Sequence, residues 1–176
     1  MSTTSRLAVV DASVVLKWQF DDEEYVSQAA ALRDDFYLRG AIRAIAPQLL
    51  VYELANGIAV AARKKRIASN KAVEAMGNLL ALGVELREVE PFLTLELALK
   101  YNLSAYDAAY LALAGSEKCE MWTGDKALYQ SVKGGSSPVK WIGDYSDEII
   151  AAYKANLETQ RIEEVSYKCI RIYREQ

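Results

Sequence analysis

The sequence predicts an α/β fold, a three-layer sandwich with a parallel central sheet flanked by helices. Throughout residues 6–143, short apolar segments of strand character alternate with segments whose apolar residues recur every three or four positions. Connections that alternate strand and helix in this way join parallel strands and place helices on the faces of the sheet. The chain has 176 residues, of which 52% are apolar and 26% charged, as expected for one domain with an ordinary core.

The predicted strands are short apolar or alternating segments bounded by turn residues. The first reads Arg-Leu-Ala-Val-Val-Asp and ends on an acid, the third alternates in polarity before Pro91, and the last follows a run rich in Gly, Ser and Pro. In chain order, the predicted strands are residues 6–11, 41–46, 84–90, 119–123 and 139–142.

The predicted helices have apolar residues at helical spacing and recognisable boundary residues. Gly40 ends the second helix, Pro47 stands where a first helical residue is favoured, Ser69 caps the fourth, and Asn102 separates the fifth from the sixth. In chain order, the predicted helices are residues 13–20, 21–38, 48–66, 69–83, 92–101, 104–115 and 126–132.

The C-terminal residues form an extension to this domain. We assign residues 1–143 to this α/β domain and residues 144–176 to an amphipathic extension that is not an independent domain. Its apolar residues follow helical steps, although residues 165–173 also alternate like a strand: Ile149, Tyr153, Leu157, Ile162, Val165, Cys169 and Ile172. Packing on its own domain and contact with a second molecule both remain open.

Composition excludes several kinds of chemistry. The chain has no histidine, which excludes histidine triads, histidine bases and histidine metal sites. Its net charge of −3 excludes a basic coat over the whole surface. Cys119 and Cys169 are too few and too far apart for a zinc site, and they fit reduced thiols. The absence of a signal-peptide pattern and of a long apolar run leads us to expect a cytoplasmic protein without a membrane segment.

Two acids follow predicted strands at the edge where α/β sheets bind ligands. Asp11 ends the first strand, and Asp125 comes directly after the strand over residues 119–123. Because the carboxyl ends of parallel strands meet at one edge, both side chains are expected there. The alternative for each is a simple cap on the next helix.

Two further acids lie within apolar helical segments. Glu53 stands in the run Leu-Leu-Val-Tyr-Glu-Leu-Ala, and Asp107 stands in Ser-Ala-Tyr-Asp-Ala-Ala-Tyr-Leu. Acids in such surroundings are expected to face inward and to need a partner, a proton or a metal. The alternatives are a solvated polar stripe for Glu53 and a capping box of Ser104 with Asp107.

Four converging carboxylates would suit a hard divalent cation. Oxygen ligands without histidine or cysteine favour Mg²⁺ or Mn²⁺. Such ions activate water and neutralise charge during phosphodiester hydrolysis, and this chemistry needs no histidine.

The ordered motifs of residues 6–143 resemble a PIN domain of the VapC toxin type. The motifs are Val-Val-Asp-Ala-Ser at residues 9–13, the helix with Glu-Leu-Ala-Asn at 53–56, Ala-Tyr-Asp-Ala-Ala-Tyr-Leu at 105–111 and Thr-Gly-Asp-Lys at 123–126. The resemblance implies a Mg²⁺- or Mn²⁺-dependent endoribonuclease, the toxin of a toxin–antitoxin pair, that forms a homodimer and binds a small antitoxin.

The resemblance also implies roles for individual residues. It makes Asp11, Glu53, Asp107 and Asp125 the catalytic and metal-binding acids, with Ser13, Asn56 and Thr123 as supporting hydrogen-bonding residues. RNA contacts are expected from the densest run of positive charge: Arg63, Lys64, Lys65 and Arg66. A helix end that merely balances its own dipole is the alternative for this run.

Other α/β families fit the sequence less well. A phospho-receiver domain would need an acid after its central strand, where Pro91 stands, and a dehalogenase-type phosphatase would need an acid at Ser13. A ribosome-maturation PIN nuclease would usually add a zinc module, which two cysteines cannot build. A non-catalytic PIN-like scaffold and a housekeeping RNA-processing nuclease remain open.

Overall fold

The computed structural model describes residues 5–134 and 137–145. The strands in this part of the chain are β1 (Arg6–Val10), β2 (Ile42–Pro47), β3 (Glu85–Arg87), β4 (Glu120–Thr123) and β5 (Val139–Trp141). The helices are α1 (Ala12–Leu16), α2 (Val26–Tyr37), α3 (Leu50–Arg63), α4 (Ala72–Ala81), α5 (Pro91–Tyr101), α6 (Ala105–Glu117) and α7 (Lys126–Ser131), with 3₁₀ turns at Ser69–Lys71 and Ile142–Asp144. The predicted amphipathic pattern of the extension lies outside the described residues.

The five strands form one parallel sheet in the order β3-β2-β1-β4-β5. Ala8, Val9 and Val10 of the central strand β1 are fully buried. Because successive side chains of a strand point to opposite faces, this burial requires helices on both faces of the sheet. The predicted α/β fold with a helix-flanked parallel sheet is confirmed.

The order of the strands creates a crevice beside β1. The chain adds β2 and β3 on one side of β1, then crosses to add β4 and β5 on the other. In α/β sheets, ligands bind at such a switch point, beyond the carboxyl ends of the strands. The loops after β1 and β4 therefore meet at the edge where a ligand site is expected.

The prediction that Pro47 begins a helix is wrong. Pro47 is the last residue of β2, paired in register with Arg87 of β3, and α3 begins only at Leu50. The next backbone N–H, that of Gln48, donates to the carbonyl of Arg87 at 3.2 Å. Proline fits this strand end because the hydrogen bonding to β3 continues through its neighbour.

The predicted helix over residues 21–38 begins too early. The structure starts α2 at Val26, after Tyr25 in a left-handed conformation with φ of 61°. The acidic run before it forms a loop in which Asp22 and Glu23 form ion pairs with Arg66. These acids thus pair with Arg66, just after α3, instead of forming the first turn of α2, where their like charges would repel one another.

A glycine brings α3 close to α1. A Cβ atom built on Gly57 would lie 2.6 Å from Cδ1 of Leu16, so α3 meets the end of α1 where it has no side chain. Glu53 lies one turn earlier on α3. This close approach of the two helices holds the glutamate near the β1–α1 junction. No helix in the described residues is long and apolar enough to cross a membrane.

Glycine at position 143 should matter more for stability than glycine in a helix. A Cβ on Gly143 would contact the indole of Trp141 and lie 2.9 Å from Cε1 of Tyr25, and these two rings pack edge to face with their centres 5.3 Å apart. We expect Gly143→Ala to lower the free energy of unfolding by about 1–3 kcal/mol through overpacking. The matched change Gly77→Ala, which meets open space within α4, should raise it by about 0.5–1 kcal/mol. Thermal unfolding of both variants measures this, and equal effects would contradict the packing argument.

Candidate active site

The candidate site lies between the carboxyl ends of β1 and β4. The two strands pair in parallel with Val10 opposite Trp122, and the backbone N–H of Asp11 donates to the Trp122 carbonyl at 3.1 Å. The chain then turns into α1 from Asp11 and into α7 from Asp125. Both acids therefore stand at the switch point of the sheet, as their positions after strands predict.

Asp11 is a buried carboxylate supported by hydroxyl groups from two elements. Its side chain is only 7% exposed. One carboxylate oxygen accepts from the hydroxyls of Thr123 and Ser13, the latter at 2.9 Å, and the other accepts from the Ser13 N–H at 3.3 Å. Burial raises the pKa of Asp11 above its usual value, and these hydrogen bonds oppose that increase without cancelling it. Asp11 also caps α1, so the cap and the site role are compatible.

Glu53 projects from the first turn of α3 and is half-buried. The hydroxyl of Tyr110 on α6 donates to its Oε2 at 2.5 Å. Burial raises the Glu53 pKa to about 7, the negative charges of Asp11 and Asp107 add to the increase, and the Tyr110 hydrogen bond opposes it. The prediction of an inward-facing glutamate is thus matched by its surroundings, since an acid on a solvated stripe would not lie against a buried tyrosine.

Asp107 lies in the first turn of α6 and forms the capping box that the sequence allows. Its N–H donates to the Ser104 hydroxyl at 3.0 Å, and that hydroxyl donates to the Asp107 carboxylate at 2.7 Å. The Asp107 charge also raises the pKa values of Asp11 and Glu53. The residue therefore caps its helix and contributes to the electrostatics of the site at the same time.

Asp125 is exposed and directs one carboxylate oxygen to its own helix. Its Oδ1 accepts from the N–H groups of Ala127 and Leu128 at 2.8 and 3.0 Å. Its backbone N–H donates to the Thr123 hydroxyl at 3.0 Å, and this hydroxyl donates to Asp11. A short hydrogen-bonded path thus joins Asp125 to Asp11, while its carboxylate makes no hydrogen bond to the other three acids in the structure.

The structure brings Asp11, Glu53 and Asp107 into mutual electrostatic contact, with Asp125 at the same edge of the sheet. Within the described residues, no group of three or more acidic or cysteine side chains forms a ready-made metal site. Mg²⁺ does not require one, because it keeps several water ligands and usually takes one or two carboxylates from the protein. The donor set is oxygen only, and a cation would offset both the burial of these acids and the smaller effect of their mutual repulsion, which together raise the pKa values of Asp11 and Glu53. The residues therefore fit Mg²⁺ or Mn²⁺.

Two of the three predicted supporting residues touch an acid. Ser13 and Thr123 both donate to Asp11, and the Ser13 hydroxyl also accepts from the Gly124 N–H at 2.8 Å. Asn56 is exposed and makes no such hydrogen bond with a described residue. Tyr110 was not among the predicted site residues, although its spacing, three residues after Asp107 on an apolar helix, could have suggested a buried neighbour of that acid.

The predicted RNA-binding residues lie at and just after the end of α3 but differ in their surroundings. Arg66 pairs with Asp22 and Glu23, and its guanidinium lies 4.8 Å from the centre of the Phe20 ring. Arg63, Lys64 and Lys65 are exposed and form no ion pair with any described residue. Three of the four cations are therefore free for a polyanion, whereas Arg66 mainly holds the loop before α2.

Comparison with known proteins agrees with this fold. The family model of the PIN domain matches residues 8–133. No curated protein matches the sequence significantly. The chain is similar in structure to PAE2754 from Pyrobaculum aerophilum, with a TM-score of 0.61 and 21% sequence identity over 84% of this chain and 99% of that one. At this identity the likeness shows the fold.

The matched region contains the whole candidate site. It extends from before Asp11 to after Asp125 and covers well over half of the chain. PIN domains are typically nucleases that bind RNA, and they usually use divalent metals such as Mg²⁺ or Mn²⁺. The chain belongs to the PIN domain family.

Proposed function

We propose that this protein is a Mg²⁺- or Mn²⁺-dependent endoribonuclease and the toxin of a VapBC-type toxin–antitoxin pair. The observation that carries the nuclease proposal is the electrostatic coupling of Asp11, Glu53 and Asp107 at the switch point of a PIN-domain sheet. The toxin role is supported by the ordered motifs that resemble VapC toxins, and we propose a cytoplasmic location together with that role.

In this proposal each acid has a role that its surroundings favour. Asp11 is the central metal ligand, because Ser13 and Thr123 hold its carboxylate in one orientation. Glu53 and Asp107 approach from α3 and α6, and Asp125 offers its second carboxylate oxygen from the start of α7. When bound, the metal would activate water and neutralise charge on the scissile phosphodiester.

The protonation state of Glu53 supports a second role for this residue, as a proton acceptor during hydrolysis. With a pKa of about 7, Glu53 exchanges protons readily near neutral pH. In the absence of metal it holds a proton for part of the time, which limits repulsion with Asp11. Once a cation is near, the ionised form is favoured, so that Glu53 can bind the ion or accept a proton from an attacking water.

Asp11→Asn should abolish metal-dependent RNA cleavage while keeping the fold. The substitution removes the central charge but leaves a side chain of the same shape. In the metal-free protein the melting temperature should stay the same or rise, because a buried charge with a raised pKa is removed. Cleavage of a labelled RNA with Mn²⁺ measures activity, and induced expression of the variant should no longer arrest growth.

Asp34→Asn is the matched control for this experiment. Asp34 is as buried as Asp11 but pairs with Arg33 on α2. Its replacement should lower stability and leave the cleavage rate per folded molecule unchanged. A folded Asp11→Asn protein that cuts RNA at the parental rate would overturn the catalytic assignment. Metal-dependent cleavage by the parental and Asp34→Asn proteins without growth arrest on expression would overturn only the toxin role.

We also propose that Arg63, Lys64 and Lys65 contact RNA phosphates, with Arg66 contributing less because of its two acidic partners. Replacing Arg63 and Lys64 by Gln should weaken RNA binding and reduce the slope of log K against log salt by about 0.7–1 for each lost contact. Arg43→Gln is the control, since Arg43 lies near the amino end of β2 and pairs with an exposed glutamate. An unchanged salt slope in the double variant would show that these side chains stay in solvent and do not contact RNA phosphates.

We propose a homodimer whose contact surface includes one face of α5. Phe92, Leu95 and Leu99 follow helical spacing and are 77%, 55% and 75% exposed. Such a contiguous apolar surface is typical of an interaction site. Leu99→Glu should convert a dimer to a monomer in light scattering, whereas Val73→Glu, at an equally exposed residue of α4, should not. A monomeric parental protein, or a dimer that tolerates Leu99→Glu, would contradict this surface.

We also propose that the protein binds a small antitoxin, as its resemblance to VapC toxins implies.

A further inference from the structure

The hydroxyl of Tyr110 joins two parts of the candidate site. Tyr110 is 1% exposed in the middle of α6, where an apolar residue would ordinarily stand. Its hydroxyl donates to Glu53 at 2.5 Å and lies near the backbone N–H of Ala12, the residue after Asp11. The phenol oxygen thus lies between the start of α3 and the β1–α1 junction, next to both acids.

We propose that Tyr110 is a positioning residue that orients the Glu53 carboxylate toward a metal held at Asp11. This inference rests on the nuclease proposed above and adds a residue to it. Glutamate has more rotatable bonds than aspartate, and Glu53 has no other hydrogen-bond donor among the described residues. Without the Tyr110 hydroxyl its carboxylate would therefore be free to turn away from the site.

The burial of Tyr110 supports a positioning role over direct chemistry. Only 1% of Tyr110 is exposed, and a tyrosine phenol, whose ordinary pKa is about 10, keeps its proton at neutral pH. It can therefore donate a hydrogen bond to an ionised glutamate but cannot serve as a base. A residue that orients a metal ligand in this way typically affects metal affinity or activity by about 10–100-fold.

The structure supplies a matched control in Tyr145. This tyrosine is also 1% exposed, and its hydroxyl also donates to a carboxylate at 2.5 Å. Its acceptor is Asp35 on α2, which also pairs with Arg39, and neither of these residues is among the groups that shift the pKa of Asp11 or Glu53. The two tyrosines thus make the same kind of buried hydrogen bond, one at the candidate site and one in the scaffold.

The experiment is a titration of the protein with Mn²⁺ alone, in which calorimetry or electron paramagnetic resonance measures the binding. Tyr110→Phe should weaken Mn²⁺ binding by about 10–100-fold, whereas Tyr145→Phe should leave it unchanged even where it lowers the melting temperature. In a Glu53→Gln background, Tyr110→Phe should have little further effect, because the hydroxyl acts through Glu53. In RNA cleavage at a fixed subsaturating Mn²⁺ concentration, Tyr110→Phe should lower kcat with little change in KM.

The outcomes separate this inference from the function on which it rests. Absence of Mn²⁺ binding in the parental protein would overturn the nuclease proposal and this inference together. Parental binding that Asp11→Asn removes but Tyr110→Phe leaves intact would overturn the inference alone. An effect of Tyr110→Phe that persists undiminished in the Glu53→Gln background would also overturn it. So would an unfolded Tyr110→Phe protein beside a folded Tyr145→Phe protein, because the hydroxyl would then serve folding.

Discussion

The candidate site depends on the hydrogen bonds that keep a buried carboxylate at Asp11. Removing a carboxylate from water costs several kcal/mol unless other groups replace the lost hydration. Here the hydroxyls of Thr123 and Ser13 and the N–H of Ser13 replace part of it, and Thr123 comes from the neighbouring strand. The same interaction therefore joins β1 to β4 and orients the acid. Thr123 is itself fully buried, so its hydroxyl has little alternative to donating to Asp11.

The acids around Asp11 leave the folded protein with unfavourable charge. Burial and repulsion raise the Glu53 pKa from 4.5 to about 7, so the folded state holds a proton more tightly than the unfolded chain. This contribution to stability is complete below about pH 4.5 and is lost as the pH rises through about 7. A divalent cation would take the place of the proton and favour the ionised acids. Such burial and repulsion of acids is thus typical of a site organised to bind a cation, where function is favoured over maximal stability.

The sequence allowed most of the fold to be predicted, because burial on both faces of a parallel sheet leaves a strong apolar pattern. The Asn102 break, with φ of 52°, and four of the five strand ends lie within one residue of the structure, whereas the third strand ends at Arg87 and not at Glu90. The errors occur where tertiary contacts decide the local structure. Pro47 is the last residue of β2 because β2 pairs with β3 up to this position. Residues 21–25 form a loop because Arg66, which is distant in sequence, pairs with their acids. Local propensity contains no information about either contact.

The site shows the same division between local and distant information. Acids at strand ends and in apolar helices could be found from the sequence because their positions are unusual for charged residues. Their partners could not be found in this way, since a buried tyrosine in an apolar helix is ordinary. Tyr110 and Tyr145 are equally buried, and their hydroxyls differ in the carboxylate that each one meets. One hydroxyl ties Asp35 of α2 to the end of the described chain, and the other ties Glu53 to the centre of the sheet. Distinguishing a structural hydrogen bond from a functional one therefore requires knowing what lies on the far side of the acceptor: an arginine beside Asp35, and two further acids beside Glu53.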